Sequence, residues 1–428
     1  MLKNVLDKIY ILAEEIGREV KIMEVCGTHT QAIAEFGLRS KLPENIKLIT
    51  GPGCPVCVTD QKDIDSVIAL ARAGVPIATY GDLLRVPGSA ERVQSSKFKV
   101  QSDKVLSSKF KVQSQLDDTP QSPAGWRGDC GGAEEASDTP LGVGRLNRFR
   151  SAGVSPQRTP AREDSEQAEE INSLEKAREE GAFVKEVYSV EEALELQKEK
   201  QDLVFFGLGF ETTAPMSALA VKKGLNFYST HKLFIPAMAA LLEMDELKID
   251  GFIDPGHVSA IVGVKPYRGL KKIRPIHQVI AGFEALDVLL AIYMLLSQII
   301  EKRFDVENEY DRLVLENGNV KAMELINEVF EVKDGVWRGF GIIPNSGLEL
   351  KNKFKNQDAK IIYKEILNKV PEPKKSACAC GEVIRGLLES KDCPLFGKIC
   401  APQTPYGPCM VSVEGGCNNE VKSLTANI

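Results

Sequence analysis

Six of the ten cysteines in this 428-residue sequence fall in one carboxy-terminal stretch: Cys378, Cys380, Cys393, Cys400, Cys409 and Cys417, spaced C-x-C-x12-C-x6-C-x8-C-x7-C. Thiolates at that density hold soft metal ions or exchange disulfides. Structural zinc sites use paired C-x2-4-C knuckles, and this stretch has no C-x2-C pair. Its spacing also differs from the bacterial ferredoxin run C-x2-C-x2-C. A [4Fe-4S] cluster asks only that four thiolates converge in space, so six cysteines supply four ligands with two thiols to spare. Two spare thiols beside a cluster suggest a disulfide that the cluster can reduce. The sulfurs of C-x-C are too constrained to pair readily with each other, so one can bind iron while its neighbour pairs elsewhere.

A second constellation is GPGCPVCVT, whose Cys54 and Cys57 form a C-x-x-C between a strand and a helix. Near a helix amino terminus the dipole and free N–H groups favour a thiolate, which makes such a pair nucleophilic, redox active or metal binding. Gly51 and Gly53 permit close approach of backbone to a ligand. In MEVCGTHT, Cys26 occupies the same strand-to-helix position with His29 three residues on, a thiolate ligand with a nearby proton carrier. Two further loops place polar residues past apolar strands: GFETTAP with Glu211, Thr212 and Thr213, and DPGHVSAIVG with Asp254, His257 and Ser259. Helix capping by Thr212 or Thr213 competes with a functional reading there. GLGFET lacks the third glycine of a dinucleotide fingerprint and is discounted.

These loops need elements to position them, and the sequence supplies an α/β alternation. KIMEV, IKLIT and VPIATY are β-rich runs, each ending in a Gly-containing loop and followed by helical periodicity; LVFFG, KLFIP, GFIDP and HQVIAG repeat the pattern from residue 203 onward. Strand, loop and helix in succession predict parallel sheets with crossover helices, and ligands then collect beyond the carboxyl ends of the strands. The expected fold class is α/β: two Rossmann-like parallel-sheet domains plus a small helical or irregular [4Fe-4S] domain. The expected boundaries are 1–89 with 171–200 for the first α/β domain, 201–345 for the second and 346–428 for the cluster domain. Residues 90–170 read as an inserted, largely disordered segment, polar and holding the direct repeat SSKFKVQS together with Cys130, an incidental thiol.

Apolar residues at 43% and charged residues at 27% fit a globular protein, and a net charge of −6 offers no basic face for nucleic acid. The amino terminus reads as an amphipathic helix rather than a signal peptide. The most apolar run, Val288 to Ile300, is 13 residues long against the roughly 20 that a bilayer requires, so a buried core helix is expected and no membrane association. A cytoplasmic location follows as the expectation. There, ten cysteines imply metal or redox chemistry rather than a disulfide framework.

Taken together, MEVCGTHT, GPGCPVCVT, YGDLLRVPGS, GFETTAP, GHVSAIVG, ACACGEVIRG, CPLFGKIC and PYGPCMVSVEG resemble the HypD family of hydrogenase expression/formation proteins. The likeness runs through nearly the whole chain except the 90–170 segment, which the family pattern lacks. It implies an accessory protein that builds the iron centre of nickel-iron hydrogenase, carrying iron as an Fe(CN)2CO intermediate. The implied partners are a small maturation chaperone, HypC, the cyanide-donating HypE, and the hydrogenase large subunit reached through the chaperone. By the same resemblance Cys26, Cys54 and Cys57 mark the iron-handling cleft. The family, with the related cluster arrangement of ferredoxin:thioredoxin reductase, suggests Cys378, Cys393, Cys400 and Cys417 as cluster ligands and Cys380 with Cys409 as the redox pair. His29 and His257 would manage protons during cyanide transfer, with Glu211 a further candidate catalytic group. The competing expectations are a stand-alone iron-sulfur disulfide reductase and a structural zinc protein.

Overall fold

Short runs of β-branched and aromatic residues set the strands. The computed structural model describes residues 2–89, 172–373 and 376–426, so the segment expected as an insertion, with its repeat and Cys130, lies outside the described residues. In chain order the strands are β1 (Val20–Glu24), β2 (Ile46–Thr50), β3 (Ile77–Thr79), β4 (Val184–Glu186), β5 (Val204–Gly207), β6 (Asn226–Ser229), β7 (Gly251–Pro255), β8 (His277–Ala281), β9 (Val306–Asn308), β10 (Phe330–Trp337) and β11 (Gly341–Leu350). One sheet has the order β2-β1-β7-β8-β9 and a second β4-β3-β5-β6. Every pairing in both is parallel, as the alternation of strand and helix predicts; β10 and β11 form a separate antiparallel hairpin.

Strand pairing does not follow a division at residue 200. The first lobe takes β1 and β2 from the start of the chain and β7 to β9 from after residue 250, while the second lobe, β3 to β6, is built in between. Ile22 faces Gly251 across the sheet, more than two hundred residues away. Local patterning shows that a strand exists and not which distant strand it joins, and parallel partners are always distant. The KLFIP run differs as well: Phe234 opens a helix, Phe234–Leu242, and the strand lies upstream at Asn226–Ser229. Pro236 is tolerated there because the first turn of a helix has no internal acceptor for its N–H.

Each lobe has its own core. In the first, the Leu2–Ile16 and Ala285–Glu301 helices pack together over Ile22 and Val279; the latter helix holds the apolar run whose burial the sequence predicts. In the second, Phe205 and Phe227 pack against Ala218 and Val221, with Phe330 and Leu350 of the hairpin closing the face. A third cluster joins the lobes, with Met23 and Phe252 from one sheet and Ile77 and Phe206 from the other. Among the described residues no helix is long and apolar enough to cross a membrane.

Both sheets reverse winding direction beside their first strand: between β1 and β7 in one, between β3 and β5 in the other. Crevices at such switch points, beyond the carboxyl ends of the strands, are where open α/β sheets bind ligands. Cys26 and Glu211 lie just past β1 and β5, and His257 is the second residue of the Gly256–Val262 helix that follows β7 directly.

Candidate functional site at the junction of the lobes

Cys26 leaves β1 in an extended conformation and occupies the cap position of the Gly27–Glu35 helix without a side-chain hydrogen bond to it. Its amide donates to Glu24 Oε2 at 3.3 Å, and the Thr30 hydroxyl donates to Glu24 Oε1 at 2.6 Å. The buried Glu24 carboxyl therefore fixes the turn. With no water around it, its pKa rises to about 8. The GPGC loop lies directly against Cys26: Gly27 N–H donates to Gly53 O at 3.1 Å, and a Cβ on Gly53 would stand 2.3 Å from Cys26 N. A Cβ on Gly51 would meet Val25 and the Glu24 carbonyl. Both glycines thus make room for protein, not for the close approach of a ligand.

The carboxy-terminal tail completes this corner. Glu414 accepts from the Thr28 hydroxyl at 3.2 Å, and its side chain covers Gly27. Burial first, and then the neighbouring Glu414 carboxylate, push the Cys26 thiol up to about 12 against the opposing pull of the first-turn amides of His29 and Thr28. The helix terminus alone does not give a ready thiolate here; a soft metal ion that displaces the proton would.

His29 is fully buried, its Nε2 within 2.9 Å of the Gly282 carbonyl, which sets Nε2 as the protonated nitrogen and leaves Nδ1 without a partner. Desolvation lowers its pKa to about 4. Phe283 separates the two histidines: its ring stacks on His29 with centroids 4.7 Å apart and on the exposed His257 at 4.0 Å. His29 is accordingly neutral near pH 7, and His257 stands on the outer side of the stack.

Glu211 sits at the other switch point. Its Oε1 accepts from Phe234 N–H at 3.0 Å, Oε2 has no partner, and burial raises its pKa to about 7. Asp254 is fully buried with both carboxylate oxygens unpartnered, and burial drives its pKa well up. Asp254, Glu211 and Cys26 all act electrostatically on the phenol of Tyr267, which accepts from Ser259 Oγ at 2.9 Å. Carboxyls from both lobes thus lie within electrostatic reach of one buried phenol. Thr213 occupies the cap position of the Ala214–Lys222 helix without capping it; its hydroxyl donates instead to Leu208 O at 3.2 Å.

Cys54 and Cys57 are joined in a disulfide with Cα atoms 5.3 Å apart, and Cys26 and the six described tail cysteines are free thiols. Cys54 caps the short Pro55–Val58 helix. That helix is packed by the Cys380–Ile384 and Pro408–Val411 helices, so Cys54, Cys57, Cys380, Cys400, Cys409 and Cys417 share one buried cluster. The thiols of Cys378, Cys380 and Cys409 act on one another, and all three are raised above the ordinary thiol range. Cys378, Cys393, Cys400 and Cys417 line one small void with Cys409, walled by Phe396 and Met410; Cys380 does not line it. Burial pushes the Cys417 thiol up to about 12. Among the described residues no three His, Cys, Asp or Glu side chains converge as a single metal ion would require. With Cys54 and Cys57 paired, Cys26 is the free thiol of the amino-terminal cleft.

Of the residues singled out in sequence, the fold unites Cys26 with the C-x-x-C loop and that loop with the tail. Glu211 and His257 lie at the margins of this assembly. Sequence reasoning missed Glu24, Tyr267, Phe283 and Glu414. Glu24 lies within the MEVCGTHT motif and could have been flagged as a charged residue inside an apolar strand; Tyr267 is held locally by Ser259, while Phe283 and Glu414 are placed by contacts hundreds of residues apart.

The HypD family model, described as the hydrogenase formation hypA family, matches residues 1–123 and 165–423, so the unmatched part is narrower than the 90–170 segment. The hydrogenase maturation factor HypD2 of Bradyrhizobium diazoefficiens is 36% identical over 93% of this chain and 87% of its own length. HypD of Azotobacter vinelandii is 36% identical over 94% and 88%, and HypD of Escherichia coli 33% over 97% and 92%. This chain belongs to the HypD family of hydrogenase maturation factors.

Proposed function

We propose that this member of the hydrogenase maturation machinery is the scaffold on which an Fe(CN)2CO unit is assembled, with electrons for cyanide attachment supplied from the cysteine-rich tail. The observation that carries the reading is the packing of the helices bearing Cys380 and Cys409 directly on the helix bearing the Cys54–Cys57 disulfide, beside Cys26. Iron is the cargo. Cys26, with a cysteine from a small HypC-like chaperone, suits it because low-spin iron with cyanide and carbon monoxide is a soft centre. A HypE-like partner would deliver the cyanide.

Five thiols around one void, with an apolar wall, form a donor set suited to a [4Fe-4S] cluster, and of these Cys378, Cys393, Cys400 and Cys417 would hold it, with Cys409 left for exchange. Its chemistry, when bound, is the supply of single electrons to neighbouring sulfur. The chain's own residues do the rest by exchange. One sulfur of the Cys380/Cys409 pair attacks the Cys54–Cys57 disulfide, forming a mixed disulfide and releasing one sulfur as thiolate. The second tail thiol then displaces the other. Two electrons and two protons pass to Cys54 and Cys57, and a Cys380–Cys409 disulfide remains. Cys54 and Cys57 are 5% and 1% exposed, which favours an internal partner over the external substrate of a stand-alone reductase.

Anaerobic purification of the full chain tests the cluster assignment. A brown protein with broad absorption near about 400 nm is expected, lost in Cys393→Ala and Cys417→Ala and kept in Cys409→Ser. A colourless wild type, or loss of colour in Cys409→Ser equal to that in Cys417→Ala, contradicts it.

A further inference from the structure

The turn between β10 and β11, WRGF, is wedged between the two cysteine helices. Arg338 N–H donates to Val58 O at 2.9 Å, one residue past Cys57. On its other side Gly339 meets Gly381, the neighbour of Cys380, so closely that a Cβ on Gly339 would stand 2.7 Å from the Gly381 Cα. Thr59 and Trp337 add a bridge on the disulfide side. Backbone contacts thus fix this turn between the residue after Cys57 and the residue after Cys380.

Its guanidinium is incompletely used. Nη1 donates to Gln61 Oε1 at 2.9 Å, while Nε and Nη2, the lateral pair that binds an anion in a fork, are buried with no acceptor. Buried donors of a charged group are seldom left unpaired without a reason. The guanidinium is within electrostatic reach of Cys378, Cys380 and Cys409, where it opposes the larger effect of neighbouring thiols and burial that raises all three, and of the Asp60 carboxyl.

We propose that Arg338 is a positioning residue for the exchange between the tail dithiol and the Cys54–Cys57 disulfide, its free guanidinium edge stabilising the negative charge that spreads over the three reacting sulfurs. The inference rests on the exchange reading above. In that exchange the attacking sulfur forms its bond as the Cys54–Cys57 bond breaks, and negative charge passes through the central sulfur to the leaving one. A fixed, unpaired donor pair beside those sulfurs needs no reorganisation as the charge moves, whereas Ile384 and Met410 offer no donor and the Trp337 indole N–H is already given to Ser346 Oγ.

The test uses the full chain under anaerobic conditions. Dithiothreitol is added, samples are quenched with N-ethylmaleimide, and the states of Cys54, Cys57, Cys380 and Cys409 are mapped by mass spectrometry. Reduction of Cys54–Cys57 is expected to slow by about a hundredfold in Arg338→Gln, the loss typical of removing a preorganised charge donor, and to return to within about tenfold of wild type in Arg338→Lys. Cys409→Ser should slow it as well. Arg338→Gln reducing at the wild-type rate while Cys409→Ser is slow overturns the role of Arg338 and leaves the exchange standing. Equal slowing in the Gln and Lys variants points to packing rather than charge and also overturns it. An unaffected Cys409→Ser removes the exchange itself, and this inference with it.

Discussion

Gly53→Ala is the sharpest perturbation of the amino-terminal corner. A methyl group at that position would lie 2.3 Å from Cys26 N, 2.4 Å from Cys26 Cα and 2.6 Å from its carbonyl carbon, whereas ordinary contact begins at 3.4 Å. All three atoms are backbone, so no side chain can swing aside and the loops must part by about 1 Å. That movement breaks the 3.1 Å hydrogen bond from Gly27 to Gly53. Overpacking of this kind costs about 1–3 kcal/mol and a lost hydrogen bond about 1 kcal/mol, so a destabilisation of about 2–4 kcal/mol is expected. Gly269→Ala is the matched control, since its Cβ meets nothing within 4 Å and the residue lies in the Tyr267–Leu270 helix. It should be neutral or stabilising by up to about 1 kcal/mol. Urea unfolding of the two variants beside wild type, with the alkylation rate of Cys26 as a local readout, separates them. Gly53→Ala should unfold at lower urea and react faster at Cys26. A wild-type midpoint and wild-type reactivity would refute the close-contact reasoning.

Glu211→Gln should change how stability depends on pH. The folded protein keeps the Glu211 proton to about pH 7, while the unfolded chain gives it up near 4.5. The folded state binds the extra proton in that window, so stability falls as pH rises from about 4.5 to 7, by up to about 1.4 kcal/mol per unit. The Gln variant should lack this decline, and an unchanged profile in pH-dependent unfolding would exclude a buried, protonated Glu211. His29, lowered to about 4 and bonded through Nε2, should show one neutral tautomer by nitrogen NMR of the imidazole across pH 5.5–8. A titration near pH 6.5 would place it in contact with water.

Local signals in the sequence were strong where structure is local. IKLIT is β2 residue for residue, and the helix after Asp60 begins just past GPGCPVCVT, whereas the helix after Cys26 begins at Gly27, inside MEVCGTHT, where the sequence reads as a loop. The parallel, doubly wound character follows from the alternation of elements. The interleaving of the lobes does not, because β7 joins β1 only after the whole second lobe has been built. The same limit governs the site. Each cysteine motif announces itself, yet Glu414 reaching Thr28 across 386 residues leaves no trace in either local pattern. Arg338 gave no signal either: an arginine after a tryptophan becomes informative only when Val58 and Gly381 are seen on either side of it. The thiolate expected at Cys26 from its place at a helix terminus is overridden by burial and by Glu414, two features supplied by tertiary packing.

The account stands most directly on whether Cys26 holds the iron cargo. Infrared spectra of the full chain, copurified anaerobically with its small partner from cells induced for hydrogenase, should contain cyanide and carbon monoxide stretching bands. Those bands should vanish in Cys26→Ala while the absorption of the tail cluster persists. Cyanide bands retained in Cys26→Ala, or absent from wild type, would contradict the scaffold role.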